Sequence, residues 1–263
     1  MKYRILLLSV LLSLTSIFTK AQEIRTRSQK KAKKGIIYFA GGTQRIWYTN
    51  SDIHVHRTTP NPPFDFTLYN VKAKDEGGFK WKTAPQFSYT VGYYFKKKNF
   101  GLEYHYDHIK YFVTQNQVVH MNGSINGTKY NQDTTLVPEF FKMEHSDGAN
   151  YAMVNFVKWF PLTMSRDNNF GIQVLAKAGV GVVNPKTNTT IMGVHRDDRY
   201  HISGFVTGVE AGLRFNFFKT IIATASYKGT YANYNDFLIA GGKGSQKWFA
   251  GQFNYMIGAQ FPL

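Results

Sequence analysis

The sequence predicts an all-β chain, an eight-stranded antiparallel up-and-down transmembrane β-barrel with long extracellular loops and short periplasmic turns. Three observations lead there. Apolar and polar residues alternate over stretches of 11 to 16 residues, whereas a soluble strand usually runs about 5 to 6. Short and long joints alternate strictly between these stretches. Charge shares a face with glycine, and the opposite face is aromatic and aliphatic. A strand crossing a bilayer at a tilt of about 45° needs about 9–11 residues, so each stretch is long enough to span.

The front of the chain reads as a leader. Lys2 and Arg4 precede an apolar run over 5–18, and Thr19-Lys20-Ala21 resembles a small-x-small cleavage site. Residues 1–21 are therefore expected to be a secretory signal peptide. The alternative is an uncleaved anchor, but the run falls short of the ~18 residues a spanning helix needs. With no cysteine, the chain offers no lipobox, disulfide or thiolate metal site. Loss of Lys2, Arg4 and Lys20 takes the formal charge from +16 to +13. Residues 22–34, six bases and Glu23, form a basic periplasmic segment before the barrel over 35–263. No aromatic-basic motif supports nucleic-acid binding, so an anionic membrane surface is the expected partner.

The first stretch, 35–47, carries Arg45, assigned to the interior. The second, 86–96, turns Tyr89, Tyr93 and Phe95 outward. In the third, 99–113, Phe100, Leu102, Tyr104 and Tyr106 oppose Glu103, His105 and Asp107. The fourth, 148–160, is assigned Trp159 and Phe160 on its outer face. In the fifth, 170–183, Phe170, Ile172, Val174 and Val180 face away from Gln173 and Lys177. In the sixth, 201–216, Phe205, Val209, Leu213 and Phe215 face away from Glu210 and Arg214. The seventh, 219–232, sets Tyr227 and Tyr231 outside and Lys228 inside. The eighth, 248–263, puts Phe249, Phe253, Tyr255, Ile257 and Phe261 outside, with Gln252, Asn254 and Gln260 inside. Outward aromatics near strand ends fit the two interfacial girdles.

The short joints are Lys97-Lys98, 161–169 and Phe217-Phe218; the long ones are 48–85, 114–147, 184–200 and 233–247. A soluble barrel has no reason to gather its long loops at one end, whereas an outer-membrane barrel does. Pairing of 65–73 and 137–144 within the wall would raise the count to ten, but the even spacing favours eight. Val118, Val119 and Met121 flanking the Asn122-Gly123 turn predict that the third and fourth stretches extend beyond the membrane as a hairpin.

Eight strands enclose a space that side chains just fill. Glu103, His105, Asp107, Glu210, Arg45, Lys177, Arg214 and Lys228 are thus expected to form a paired network that plugs the lumen. A proton- or ligand-handling site in the lumen is the functional alternative.

On these faces and loop lengths, residues 35–263 resemble the small outer-membrane barrels of the OmpA/OmpX type. Gly258, Phe261 and Leu263 resemble the C-terminal assembly signal of such barrels, with Met256 and the final Leu263 departing from it. The resemblance implies the barrel-assembly machinery as a partner. The tyrosine-rich composition looks like that of Bacteroidetes outer-membrane proteins.

Chemistry-bearing motifs are few. There is no HExxH, GxSxG or phosphate loop. His54 and His56 could face a metal from one side of an extended segment, but a third ligand is not evident nearby. His201 and Ser203, placed on the lipid face at the outer end of the sixth stretch, resemble the pair of lipid A deacylase barrels, in which His activates Ser. Gly204 stands where that family has Asn, Phe215 where it has Glu, and Glu210 lies on the other face. The expectation is a monomer in the outer membrane of a Gram-negative bacterium, without enzyme activity or cofactor, acting as a structural or surface-interaction protein. Its expected surroundings are outer-membrane lipid and lipopolysaccharide, whose phosphates the basic loops could contact. A lipid A-modifying enzyme and a small channel or secretion-system component are the alternatives.

Overall fold

The computed structural model describes residues 35–59, 62–75, 86–167 and 169–263. The expected signal peptide and basic segment lie outside them. In chain order the strands are β1 (Ile36–Tyr48), β2 (Ser51–Arg57), β3 (Phe64–Val71), β4 (Ala73–Lys74), β5 (Phe87–Phe95) and β6 (Phe100–His108). Next come β7 (Tyr111–Val113), β8 (Val118–Ile125), β9 (Thr128–Thr135), β10 (Phe141–His145), β11 (Tyr151–Met164) and β12 (Phe170–Val183). The last five are β13 (Asn188–Ile191), β14 (Val194–Asp197), β15 (Gly204–Phe217), β16 (Ile221–Ile239) and β17 (Gly242–Pro262).

Eight of these form a closed wall in the order β1-β5-β6-β11-β12-β15-β16-β17, with β17 returning to β1. The seam runs antiparallel from Ile36↔Pro262 to Tyr48↔Ala250. The count is eight as expected: β3 and β10, which cover the alternative segments, pair outside the ring. One end has only short connections, at 96–99, 165–169 and 218–220. Leu263 N donates to Gly35 O at 3.0 Å at that same end.

The wall's two faces follow the pleat. Phe39, Leu102, Tyr104, Val154, Phe156, Val180, Val209, Phe249, Tyr255 and Ile257 are exposed outside. Gln44, Ser88, Glu103, Asp107, Glu210, Lys228, Gln252 and Asn254 are buried inside. This is a polar interior within an apolar exterior, the reverse of a soluble barrel.

At the other end the connections build a second storey. β16 and β17 continue upward and meet at Ala240-Gly241, where φ is 47° and 79°. Positive φ at both central residues is the condition for a tight hairpin turn. The expected long joint over 233–247 is therefore a hairpin, whose inward residues Tyr234, Phe237 and Ile239 carry the strand on past a bulge between Tyr234 and Phe237. Above the seam the freed edge of β17 pairs with β2, from Gln246↔Ile53 to Lys243↔His56. β3, β8 and β9 extend that sheet, and β14-β13-β10-β7-β4 forms a second one. Ile53, Val55, Phe66, Leu68, Met121, Phe141, Ile191 and Phe237 pack in the common core. A hairpin does stand here, but it is β8–β9, paired to β3 rather than extending β6 and β11, and it turns at Asn126-Gly127, with φ of 50° and 80°. Asn122-Gly123 lies inside β8, where a Cβ on Gly123 would sit 2.2 Å from Asp65 O. Two Asn-Gly pairs stand four residues apart, and close approach to β3 claims the first.

Two glycines set how tightly the seam closes. A Cβ on Gly42 would lie 1.8 Å from Tyr255 O, and one on Gly258 would lie 1.9 Å from Phe39 O. Gly258→Ala should lower unfolding stability by about 1–3 kcal/mol and weaken the SDS-resistant form on unheated gels. Gly229→Ala, whose Cβ meets open space, should change stability by under about 0.5 kcal/mol. Equal urea midpoints for the two variants would contradict this account of the seam.

Candidate functional site: the enclosed charge layer and the long-loop rim

Three neighbouring strands set Lys177, Glu210 and Lys228 side by side, because Lys177↔Glu210 and Glu210↔Lys228 are both register pairs. Inward positions on β6 bring Glu103, His105 and Asp107 to meet them. Lys177 Nζ lies 2.9 Å from Glu103 Oε1 and 3.3 Å from Glu210 Oε1. Lys228 Nζ pairs with Asp107 Oδ2. His105 Nε2 is 2.8 Å from Asp107 Oδ1, and its Nδ1 is 3.6 Å from Glu103 Oε1. Neutral donors complete the layer. Tyr38 Oη donates to Glu103 at 2.9 Å, Ser226 Oγ to Glu210 at 2.6 Å, Ser88 Oγ to Asp107 at 2.6 Å and Gln252 Nε2 to Asp107 at 3.0 Å. A charge removed from water is tolerable only with such partners.

Two of the eight assigned residues stand apart. Arg214 is inside but nearer the short-turn end. Its guanidinium donates to Gln173 at 2.8 Å, to Gln260 at 2.8 Å and to Asn216, and lies 4.0 Å from the Trp159 ring centre. Arg45 points outward, opposite Phe253 across the seam. In β1 the inward parity is set by Tyr38, Ala40, Gln44 and Ile46, and apolar residues occupy both parities. Without Arg45, the assigned residues place three acids, Glu103, Asp107 and Glu210, against three lysine and arginine side chains, Lys177, Arg214 and Lys228, with His105 among them. Trp159 is the converse correction. It is 4% exposed and stacks on Tyr94 at 3.9 Å inside the ring. β11 carries aromatics on both faces, so alternation alone could not place it.

Trp159, Tyr94, Leu175 and Met256 pack below the charges. Trp248, Tyr111, Tyr151 and Tyr234 pack above them; Trp248 stacks on Tyr111 at 4.5 Å and donates Nε1 to Tyr151 Oη at 3.0 Å.

The His201 and Ser203 pair does not assemble. β15 begins at Gly204, whose φ of 150° breaks the alternation and turns Ser203 into the protein. Ser203 is 1% exposed and donates to the His201 carbonyl at 2.9 Å. His201 Nε2 instead lies 3.2 Å from Asp236 Oδ2. On β2, His54 Nε2 is 2.8 Å from Asp65 Oδ1, and the His54 and His56 rings stack at 5.9 Å. Among the described residues, no group of three His, Cys, Asp or Glu side chains is placed to hold a metal.

Sequence reasoning passed over His145, which sits deep in the cap. Its Nδ1 is 3.1 Å from Thr187 Oγ1, its Nε2 is 3.0 Å from Gln246 Nε2, and its ring stacks on Tyr234. Burial pushes its pKa down to about 3. Only its place in an alternating stretch, two residues after Met143 and four after Phe141, marks it as inward.

The chain is similar to several solved structures. Neisserial surface protein A is 10% identical with a TM-score of 0.39, over 86% of this chain and 97% of that one. Ail, the attachment invasion locus protein of Yersinia pestis, is 14% identical with a TM-score of 0.34, over 88% and 100%. The outer membrane protein OprG of Pseudomonas aeruginosa is 12% identical with a TM-score of 0.36, over 88% and 98%. No family model and no curated protein matches the chain. At these scores the likeness carries no argument, and the barrel assignment stands on the hydrogen-bonded ring. Nor do these proteins lend support to a Bacteroidetes origin.

Lys177→Met should cost about 3–5 kcal/mol in urea unfolding, because Glu103 and Glu210 lose their shared cation. Adding Glu103→Gln and Glu210→Gln should recover part of that loss. Arg45→Ala should shift stability by no more than about 0.5 kcal/mol; a larger cost would return Arg45 to the network. For His145 the unfolded chain takes up a proton near pH 6.5, which the folded cap refuses until about pH 3. Its contribution is therefore present above pH 6.5 and lost as pH falls toward 3. Between pH 7 and 5 the cap should lose about 2 kcal/mol, read as protease resistance, and His145→Phe should flatten that dependence.

Proposed function

We propose that this chain is an integral outer-membrane β-barrel of a Gram-negative cell envelope, with a structural or surface-interaction role. The observation that carries the reading is the apolar exterior around a closed polar interior. Soluble monomers rarely expose contiguous apolar patches beyond a few hundred Å², whereas this wall displays Phe, Tyr, Val, Leu and Ile on every strand. The ring leaves no strand edge inside hydrocarbon, which lipid requires. The short-turn end faces the periplasm and the storeyed end faces out, as is usual for such barrels.

In this reading the lumen is closed to ions. The paired charge layer and the aromatic packing on either side leave the interior filled. The closed wall needs no second copy, so the barrel is a monomer, surrounded by outer-membrane lipid and lipopolysaccharide. Phe261 and Leu263 stand exposed at the end of β17, where the assembly machinery can meet them, and Gly258 sits in the seam against Ala40. The buried Ser203 and the engagement of His201 with Asp236 count against a lipid A deacylase, so we assign the pair no enzymatic role.

The protein should fractionate with outer membranes and migrate faster on unheated gels than after boiling. Recovery in the soluble fraction would sink the reading. The purified barrel in a planar bilayer should pass no stepwise current, and discrete conductance would favour a channel. The acyl pattern of lipid A should be the same with the wild type, His201→Ala, Ser203→Ala or no gene. A difference abolished by either substitution would favour the enzyme.

A further inference from the structure

The long-loop end carries a basic pocket that the barrel does not need for closure. It is a cavity of about 680 Å³ where three connections converge: the end of β2, the segment after β14 and the β16–β17 tip. Arg57, Arg196, Arg199 and Lys243 line it against Asp197 and Asp198. Four bases against two acids leave an excess of positive charge.

The arrangement is built rather than incidental. Arg57 is buried and donates to Ala240 O at 2.8 Å and to Pro62 O at 2.7 Å, with its guanidinium 4.7 Å from the Phe64 ring centre. Burial and the neighbouring Arg196 both pull the Arg57 pKa below its ordinary value. The Arg196 Nη1 lies 3.0 Å from where a Cβ on Gly241 would stand, so this guanidinium rests over the glycine of the hairpin turn. Asp198 ties the two loops, accepting from Ala240 N at 3.0 Å and pairing with Arg196 Nε at 3.3 Å. Asp197 is engaged by Lys186 at 3.1 Å and Lys243 by Asp236 at 3.2 Å. Arg199 is exposed and makes no ion pair or hydrogen bond with a described residue.

We propose that this pocket binds the oxyanion groups, phosphate or sulfate, of a saccharide. Guanidinium forks match tetrahedral oxyanions with two parallel hydrogen bonds each, and two of them crowded together repel until an anion enters. Height argues for a saccharide over a lipid headgroup. Tyr231 and Phe249 top the outward aromatic rows on β16 and β17, and Ala240-Gly241 stands nine residues beyond Tyr231. At ~3.3 Å per residue and a tilt of about 45°, that is about 20 Å above the belt. The headgroup plane lies below the pocket, whereas glycan chains reach it. The choice of a saccharide rests on the outward placement of the long-loop end; oxyanion binding does not.

Calorimetry on the full chain, folded in detergent micelles, tests this with four soluble probes: a phosphorylated disaccharide, a sulfated disaccharide, the unmodified disaccharide and inorganic phosphate. Lipopolysaccharide micelles form a fifth arm. At least one charged saccharide should bind at least 10-fold more tightly than the unmodified sugar and than inorganic phosphate, and raising salt from 50 to 200 mM should weaken it. Tighter binding of lipopolysaccharide than of the soluble probes assigns the glycan to the cell's own envelope; the reverse assigns it to the surroundings. Arg196→Ala with Arg199→Ala should weaken binding at least 10-fold. Lys129→Ala, three strands across the sheet on β9 and outside the pocket lining, should not, and heat-modifiable mobility shows that each variant folds. Equal affinity for the unmodified sugar, or undiminished binding by the double variant, overturns the proposal. Because binding is read on purified protein, its failure leaves the membrane location standing. Recovery in the soluble fraction would remove the case for a saccharide and leave the oxyanion site.

Discussion

Everything in this molecule depends on β17 returning to β1. That seam, running from Ile36↔Pro262 to Tyr48↔Ala250, satisfies the backbone groups that an open sheet would leave bare on both edges. Once the sheet is closed, the pleat sorts every side chain into one of two compartments. The ring is narrow, so the inner compartment is filled by the side chains it receives. Gly42 and Gly258 belong to the same constraint, since backbone of the facing strand occupies the space their side chains would need.

The charge layer follows from closure. Lys177, Glu210 and Lys228 become neighbours through the register of β12, β15 and β16, and Glu103, His105 and Asp107 reach them from β6 only because the sheet curves round. The same six side chains on a flat sheet would face water and contribute little. Enclosed between aromatic packing above and below, each removal would strand a charge. The cap obeys a related rule. Above the seam β17 would present a bare edge, and β2 pairs with it. The second sheet then covers the apolar face of the first, and that storey holds His145 and positions the arginines at the rim.

The wall was legible where alternation is clean. β6, β12, β15 and the lower part of β17 keep their charged side chains on one face, with Leu175, Val206 and Met256 the apolar residues among them, and their faces follow from period two. β1 and β11 carry apolar residues on both faces, so Arg45 and Trp159 were placed on the wrong side by parity. Ser203 was misplaced for another reason: the positive φ of Gly204 resets the alternation just before the strand begins. The two Asn-Gly pairs in the second long connection show a third limit. Either one satisfies a hairpin turn locally, and only the approach of β3 to Gly123 decides between them.

The sequence by itself determined the class of barrel, the number of wall strands and the chemistry of each face, because these rest on local periodicity and on the spacing of turns. Which charges meet, which way β1 turns its arginine and which loops converge at the rim were decided by tertiary structure. Those outcomes depend on register and closure between segments up to the whole length of the barrel apart, and no local pattern encodes a distance across a ring.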